Sequence, residues 1–134
     1  MDSHRFQDFA VRYTAAWCSQ DPARVASFFA AGGSLTINDG VPSIGRAAIT
    51  AAAQGFMSAF PDLVVALDTA TWLDDHSGIY RWILTGHNTG PGGTGHGVRI
   101  HGYEEWTFGA DGLIGRSLGH YDAADYAKQL KGPA

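Results

Sequence analysis

From Leu63 to Tyr121 the chain is a succession of strand-like runs, each closed by a turn, and this half follows three helical stretches. That order limits the possible folds more than any other feature. Leu63–Trp72, Ile79–Gly86, Val98–Phe108 and Leu113–Tyr121 are rich in β-branched and aromatic residues. Asp74 to Gly78 makes one turn, and Asp111-Gly112 gives the hairpin signal of another. A glycine-rich stretch, His87 to Gly97, reads as a mobile flap or a long hairpin connection.

The first helix spans Arg5 to Ser19, with Phe6, Phe9, Tyr13 and Trp17 three or four residues apart on one stripe. Asp21-Pro22 opens a second helix, which carries Val25, Phe28 and Phe29 and stops at Gly32-Gly33. Ser34 to Asn38 alternates as a strand, and a third helix covers Arg46 to Ala59. A tail helix, Ala123 to Leu130, closes one end. The pattern predicts an α+β domain with helices packed on one face of an antiparallel sheet. A strongly curved sheet of this kind forms a cone whose concave interior suits a small molecule. A length of 134 residues fits a single domain, 1–134.

Within the third of those strands lie the only two glutamates, Glu104 and Glu105. Side chains alternate along a strand, so one shares a face with Trp106 and Phe108 and the other with Tyr103 and Thr107. The aromatic face is the core face, which turns Glu104 inward. A carboxylate among aromatics is costly unless it is protonated or hydrogen-bonded. Glu104 is therefore either a functional acid or a satisfied buried one.

The net charge of −4 and the scarcity of lysine exclude the basic footprint of a nucleic-acid binder. No apolar stretch approaches a membrane span, and the N-terminus lacks the apolar segment of a signal peptide. The expectation is a cytoplasmic protein with no nucleic-acid or membrane partner. One cysteine, Cys18, excludes an internal disulfide or a cysteine metal cluster. No histidine pair has metal-binding helical spacing, and the glycine-rich stretch is not a phosphate loop. Neither a metal nor a cofactor is expected.

Several segments, in order, resemble the SnoaL-like polyketide cyclases of the NTF2-like superfamily. They are Tyr13-Thr14-Ala15-Ala16-Trp17, Asp21-Pro22, Phe28-Phe29-Ala30, Gly45-Arg46-Ala47-Ala48-Ile49 and Phe60-Pro61-Asp62-Leu63. Arg81-Trp82, Gly86-His87-Asn88-Thr89-Gly90-Pro91 and Asp111-Gly112-Leu113-Ile114 complete the set. The resemblance implies an NTF2-like cone. It also implies a catalytic aspartate where this chain has Gly119, and a histidine where it has Glu104. His120 or Asp122 replaces that aspartate only if the strand register shifts.

The related ketosteroid isomerases use a helix tyrosine, a protonated carboxylic acid and an aspartate base. Tyr13 and Glu104 fall on the first two positions. Ile37 falls on the third, or Asp39 after a shift of two residues. Asp39 before Gly40 reads equally as a turn residue. The candidate catalytic residues are Glu104, Tyr13, Asp39 and His120. The candidate substrate contacts are Trp17, Asn38, Phe56, Phe60, Trp82 and Trp106, which read alternatively as ordinary core. His101 shares the parity of Tyr103 and points away from Glu104.

Two functions fit: acid/base chemistry of the isomerase or cyclase type on a small apolar carbonyl compound, polycyclic or phenolic, or a non-catalytic ligand-binding or interaction module. Tyr103, with Tyr80 or Trp82, marks the outer sheet face as the surface of a homodimer.

Overall fold

A computed structural model describes residues 1–133. Helix α1, Ser3–Cys18, is capped by the Asp2 carboxylate on the Arg5 amide. Its apolar stripe buries Phe6, Phe9, Ala10, Tyr13 and Ala16. Helix α2 is short, Pro22–Ala26, with Asp21 as its cap. Strand β1, Phe29–Ile37, and the two-residue β2, Ser43–Ile44, precede α3, Arg46–Ala59. Then come β3, Val64–Trp72; β4, Ser77–His87; β5, Gly97–Phe108; and β6, Ile114–Tyr121. Helix α4, Ala123–Lys131, ends the described chain. No helix among the described residues is long and apolar enough to cross a membrane.

The strands form one curved sheet, not closed, in the order β2-β1-β6-β5-β4-β3. Its neighbours are antiparallel except β1 and β6, which run parallel. That parallel pair departs from the all-antiparallel expectation. It joins strands far apart in sequence, so no local pattern announces it. Register breaks between Leu67 and Thr69, and between Thr107 and Phe108, add the local twist of bulges.

The second helix is shorter than the sequence indicates. Phe29 is already a strand residue opposite Ile114, and the Phe29–Ser34 segment bulges. Gly33 serves that bulge rather than ending a helix, because a Cβ there would lie 2.7 Å from the Ile114 carbonyl oxygen. The glycine-rich connection is a hairpin link, not a flap. Gly90 N–H and the Asn88 amide both donate to the Ala59 carbonyl at the end of α3.

Helix α1 lies along β3 and guards its free edge, where Cys18 and Gln20 donate to the Val65 and Leu63 carbonyls. Across the concave face Phe6 and Phe9 meet Trp106 and Phe108 edge-to-face, with centroids 5.2–6.0 Å apart. Val98, Ile100, Glu104, Trp106 and Phe108 are the buried members of the alternating β5 strand. Tyr80 and Trp82 share this inner side through their pairing with Glu104 and Gly102. Neither is available to the outer face.

Gly78 tests the seat of α1 on the sheet. A Cβ there would collide with the Phe6 ring. Gly78→Ala should therefore cost about 1–3 kcal/mol of unfolding free energy, the usual range for overpacking. Urea unfolding measures this, and unchanged stability would contradict the packing.

Candidate functional site

Strand alternation carries Glu104 into the concave face, where it is 7 % exposed. Its nearest polar neighbours come from three elements. Ser117 on β6 donates its hydroxyl to Oε1 at 2.7 Å. Trp106 on β5 donates Nε1–H to the same oxygen at 3.0 Å. The Tyr13 hydroxyl on α1 stands 3.1 Å from both Oε1 and Oε2. Oε1 thus has two dedicated donors, and Oε2 has only the shared tyrosine.

Burial pushes the Glu104 pKa up, and the bonds from Ser117, Trp106 and Tyr13 pull it partly back; the net direction is upward. The Ser117 and Trp106 donors occupy Oε1, so the proton of the neutral acid belongs on Oε2. An acid in that state offers an O–H beside the Tyr13 hydroxyl. Tyr13 is fully buried, and burial followed by the nearby Glu104 holds its pKa well above the ordinary value. It therefore donates and does not ionise. Its ring is fixed edge-on to Trp106 at 4.9 Å and to Tyr80 at 5.2 Å. Tyr80 stacks flat on Trp106 at 4.8 Å, and its hydroxyl is tied to Thr14.

Glu104 opens on an apolar cavity of about 60 Å³. Tyr13, Trp17, Phe56 and Trp82 line it, joined by Tyr80, Tyr121, Gly119 and aliphatic residues. Trp106 and Phe60 do not. Trp106 lies in the core beneath and reaches the site only through its indole N–H, whereas Phe60 is fully buried in a second apolar cluster with Leu63 and Val98.

Asn38 and Asp39 also stay out of the cavity. Both adopt positive φ, 50° and 59°, in a turn closed by the Gly40 N–H on the Ile37 carbonyl. The Asn38 side chain accepts from the Tyr121 amide at 2.9 Å and pins the end of β6. Asp39 is exposed on an outer groove and is not positioned as a base opposite Glu104. The short polar side chains of Asn and Asp tolerate this left-handed conformation, and that preference decides the turn.

His120 borders the cavity, but its imidazole is engaged on the outer side of the sheet. Nε2 lies 2.7 Å from Glu105 Oε2, and the ring stacks on Tyr103 at 4.7 Å. No bulge shifts β6 there, since Tyr103 pairs with His120 and Glu104 with Gly119 in regular register. Its Nε2 is thus directed to Glu105 and not to the space beside Glu104. At Gly119 a Cβ would sit 3.8 Å from Glu104 Cγ in ordinary contact. There is room for a side chain next to the acid, and the chain leaves it empty.

Ser117 and Tyr121 carry no site expectation from the sequence, and Tyr80 is expected on the outer face instead. Their signal is parity. Once Glu104 faces inward, the Asp111-Gly112 hairpin brings Gly119, Ser117 and Tyr121 to the same face of the neighbouring strand.

Residues 10–117 match the family model of the SnoaL-like domain. No curated protein matches the chain in sequence. Among solved structures, it is similar to a protein of Catenulispora acidiphila with a ketosteroid isomerase-like fold, crystallised with trimethylamine. That pair has a TM-score of 0.81 at 16 % identity, covering 94 % of each chain. A phenazine biosynthesis-related protein of Pseudomonas aeruginosa aligns with a TM-score of 0.81 at 18 % identity, over 98 % of this chain and 88 % of the other. The epoxide hydrolase/cyclase-like enzyme SalBIII, of pyran ring formation in the polyether salinomycin, gives 0.79 at 15 % identity, over 92 % and 95 %. At such identities the likeness is one of fold.

The raised Glu104 pKa makes stability depend on pH in a defined direction. The folded chain holds this proton longer than the unfolded chain, so the Glu104 contribution is complete below the ordinary glutamate value of about 4.3. It declines as pH rises through the folded value. Urea unfolding across this range should show the decline in the wild type and not in Glu104→Gln. Ser117→Ala removes a donor that favours the charged form, so its decline should extend to higher pH. An identical profile in wild type and Glu104→Gln would contradict the assignment.

Proposed function

The chain belongs to the SnoaL-like domain family, and we propose that its cavity takes a small apolar carbonyl compound, with the Glu104 acid donating a hydrogen bond to the carbonyl oxygen. The supporting observation is the unequal donor set on Glu104: Oε1 taken by Ser117 and Trp106, Oε2 left beside Tyr13. A neutral carboxylic acid and a phenol in an apolar enclosure are matched to an oxygen that gains negative charge. If the ligand reacts, the proton on Glu104 and the Tyr13 hydroxyl stabilise an enolate or a related oxyanion. Isomerisation, ring closure and water addition next to a carbonyl all pass through such a species.

A specific observation favours a second reading, a binding module without turnover. Among the described residues, no side chain lining the cavity offers a free proton-transfer group opposite Glu104. Asp39 is in an outer turn, the His120 imidazole is held by Glu105, and Gly119 has no side chain. A reaction at this site would rely on Glu104 alone or on a base that the ligand itself carries.

We also propose that two copies pair through the outer sheet face. Arg81 lies over the Tyr103 ring at 5.4 Å, and half-buried Ile79, Ile83 and Leu118 share that side. Light scattering at micromolar concentration should give the mass of a dimer, and a monomer would reject the pairing.

Calorimetry with 2-cyclohexen-1-one and 1-indanone tests the ligand class. Glu104→Gln keeps a donor and should lower affinity only slightly. Glu104→Ala should cost about 1–3 kcal/mol, the penalty of an unpaired buried group. Wild-type affinity should fall as pH rises through the Glu104 pKa, and Glu104→Gln affinity should stay level. Equal binding by wild type and Glu104→Ala would exclude the proposed contact. Exchange of the ketone α-protons in heavy water separates the readings: acceleration lost in Glu104→Gln means catalysis, and binding without acceleration means a module.

A further inference from the structure

The cavity beside Glu104 is small for any ring. At about 60 Å³ it is well under the ~150 Å³ that accommodates one benzene molecule in an apolar core. Next to it, at the rim of the sheet, lies an open groove of about 480 Å³. The linings differ. The cavity walls are almost wholly apolar, whereas the groove is bordered by Asn38, Asp39, Asp68, Arg81 and Asp122. Trp82, His120 and Tyr121 border both spaces; the His120 imidazole is turned to Glu105, and the Trp82 and Tyr121 rings lie 6.4 Å apart between the two.

Neither ring has a polar side-chain anchor among the described residues; the Asn38 side chain accepts only from the Tyr121 backbone amide, at the end of β6. Trp82 is half-buried, and its indole N–H donates to none of the described residues. The contrast with Trp106, whose N–H is fixed on Glu104, is direct. The Trp82 ring lies over Gly102, in the space where a side chain of β5 would otherwise stand. It is thus a large ring seated in a gap, facing the groove, with no polar anchor.

We propose that Trp82 is the specificity-determining residue of the site. Swung off Gly102, it joins the cavity to the groove and admits a ligand made of an apolar ring next to Glu104 and a polar tail beside Asn38, Asp39 and Asp122. The inference rests on the reading of the cavity as a ligand site and adds the shape of the ligand. A bare ring uses the inner space only once the indole has moved aside, while a ring with a polar tail also uses the groove.

The experiment uses the full chain labelled with 5-fluorotryptophan, its Trp82 resonance assigned by Trp82→Phe. The probes are 1-indanone and its 5-(2-hydroxyethoxy) derivative. Both should move the Trp82 fluorine signal, and the tailed ketone should bind more tightly. Trp82→Ala should speed association by about tenfold or more, because binding no longer waits on a rearrangement. Trp82→Leu provides a second variant that keeps an apolar side chain over Gly102 but removes the ring, and it should give an acceleration between those of wild type and Trp82→Ala. Signals from Trp17 or Trp106 that respond to a bound ketone while Trp82 stays unchanged would overturn the gate and leave the ligand site standing. Binding to Trp82→Ala but not to wild type would show a fixed plug and also overturn it. If neither ketone moves any signal in wild type or variant, the ligand site itself fails, and the gate with it.

Discussion

The Glu104 carboxyl group, sealed among aromatic rings and held by Ser117, Trp106 and Tyr13, is the interaction around which the concave face is organised. A buried polar group of this kind is tolerable only with its partners in place. Those partners lie on α1, β5 and β6, so the acid ties the first helix to the two central strands. The aromatic packing answers to the same need. Trp106 must present its N–H to Oε1, and it does so wedged between Tyr80, stacked on its face, and Tyr13, Phe6 and Phe9 at its edges. A site that raises the pKa of its acid thereby also fixes how the helix sits on the sheet.

This arrangement gives one acid in an apolar pocket, with no free base opposite it among the described residues. A pair of opposed groups would move a proton between two ligand atoms, but a single neutral acid with an adjacent phenol principally recognises and polarises one oxygen. Gly119, Asp39 and His120 each bear on that conclusion. The first lacks a side chain, the second is spent in a turn, and the third is bonded to Glu105 across the sheet. On the proposed reading, the molecule retains an oxygen-recognition site with room beside it for chemistry that the ligand must help to supply.

Much of this was legible in the residues. The third helix lies between Arg46 and Ala59 as its composition indicates, and the four later strands fall within a residue or two of their turn signals. Strict alternation was enough to turn Glu104 inward, and a stripe three to four residues apart was enough to put Tyr13 on the core side of α1. The failures have a common cause. Gly33, Phe29 and the parallel β1–β6 pair depend on contacts between distant segments, where local propensity says nothing. Ser117 was missed because a small hydroxyl residue in a strand has no periodic signature; only the register with Glu104 reveals it. Asn38 read as the end of a strand, yet its tolerance of positive φ put it in a turn, whereas the Asp39-Gly40 turn was already legible as the alternative to a catalytic base.

The central claim is that Glu104 is a neutral hydrogen-bond donor, kept so by burial against the pull of three donors. Carbon-13 labelling of its side chain and an NMR titration measure this directly. The account expects a midpoint clearly above the ordinary glutamate value of about 4.3, moving further up in Ser117→Ala. A midpoint at or below that value would mean that the hydrogen bonds outweigh burial and that the cavity holds a carboxylate, and the donor role would fall.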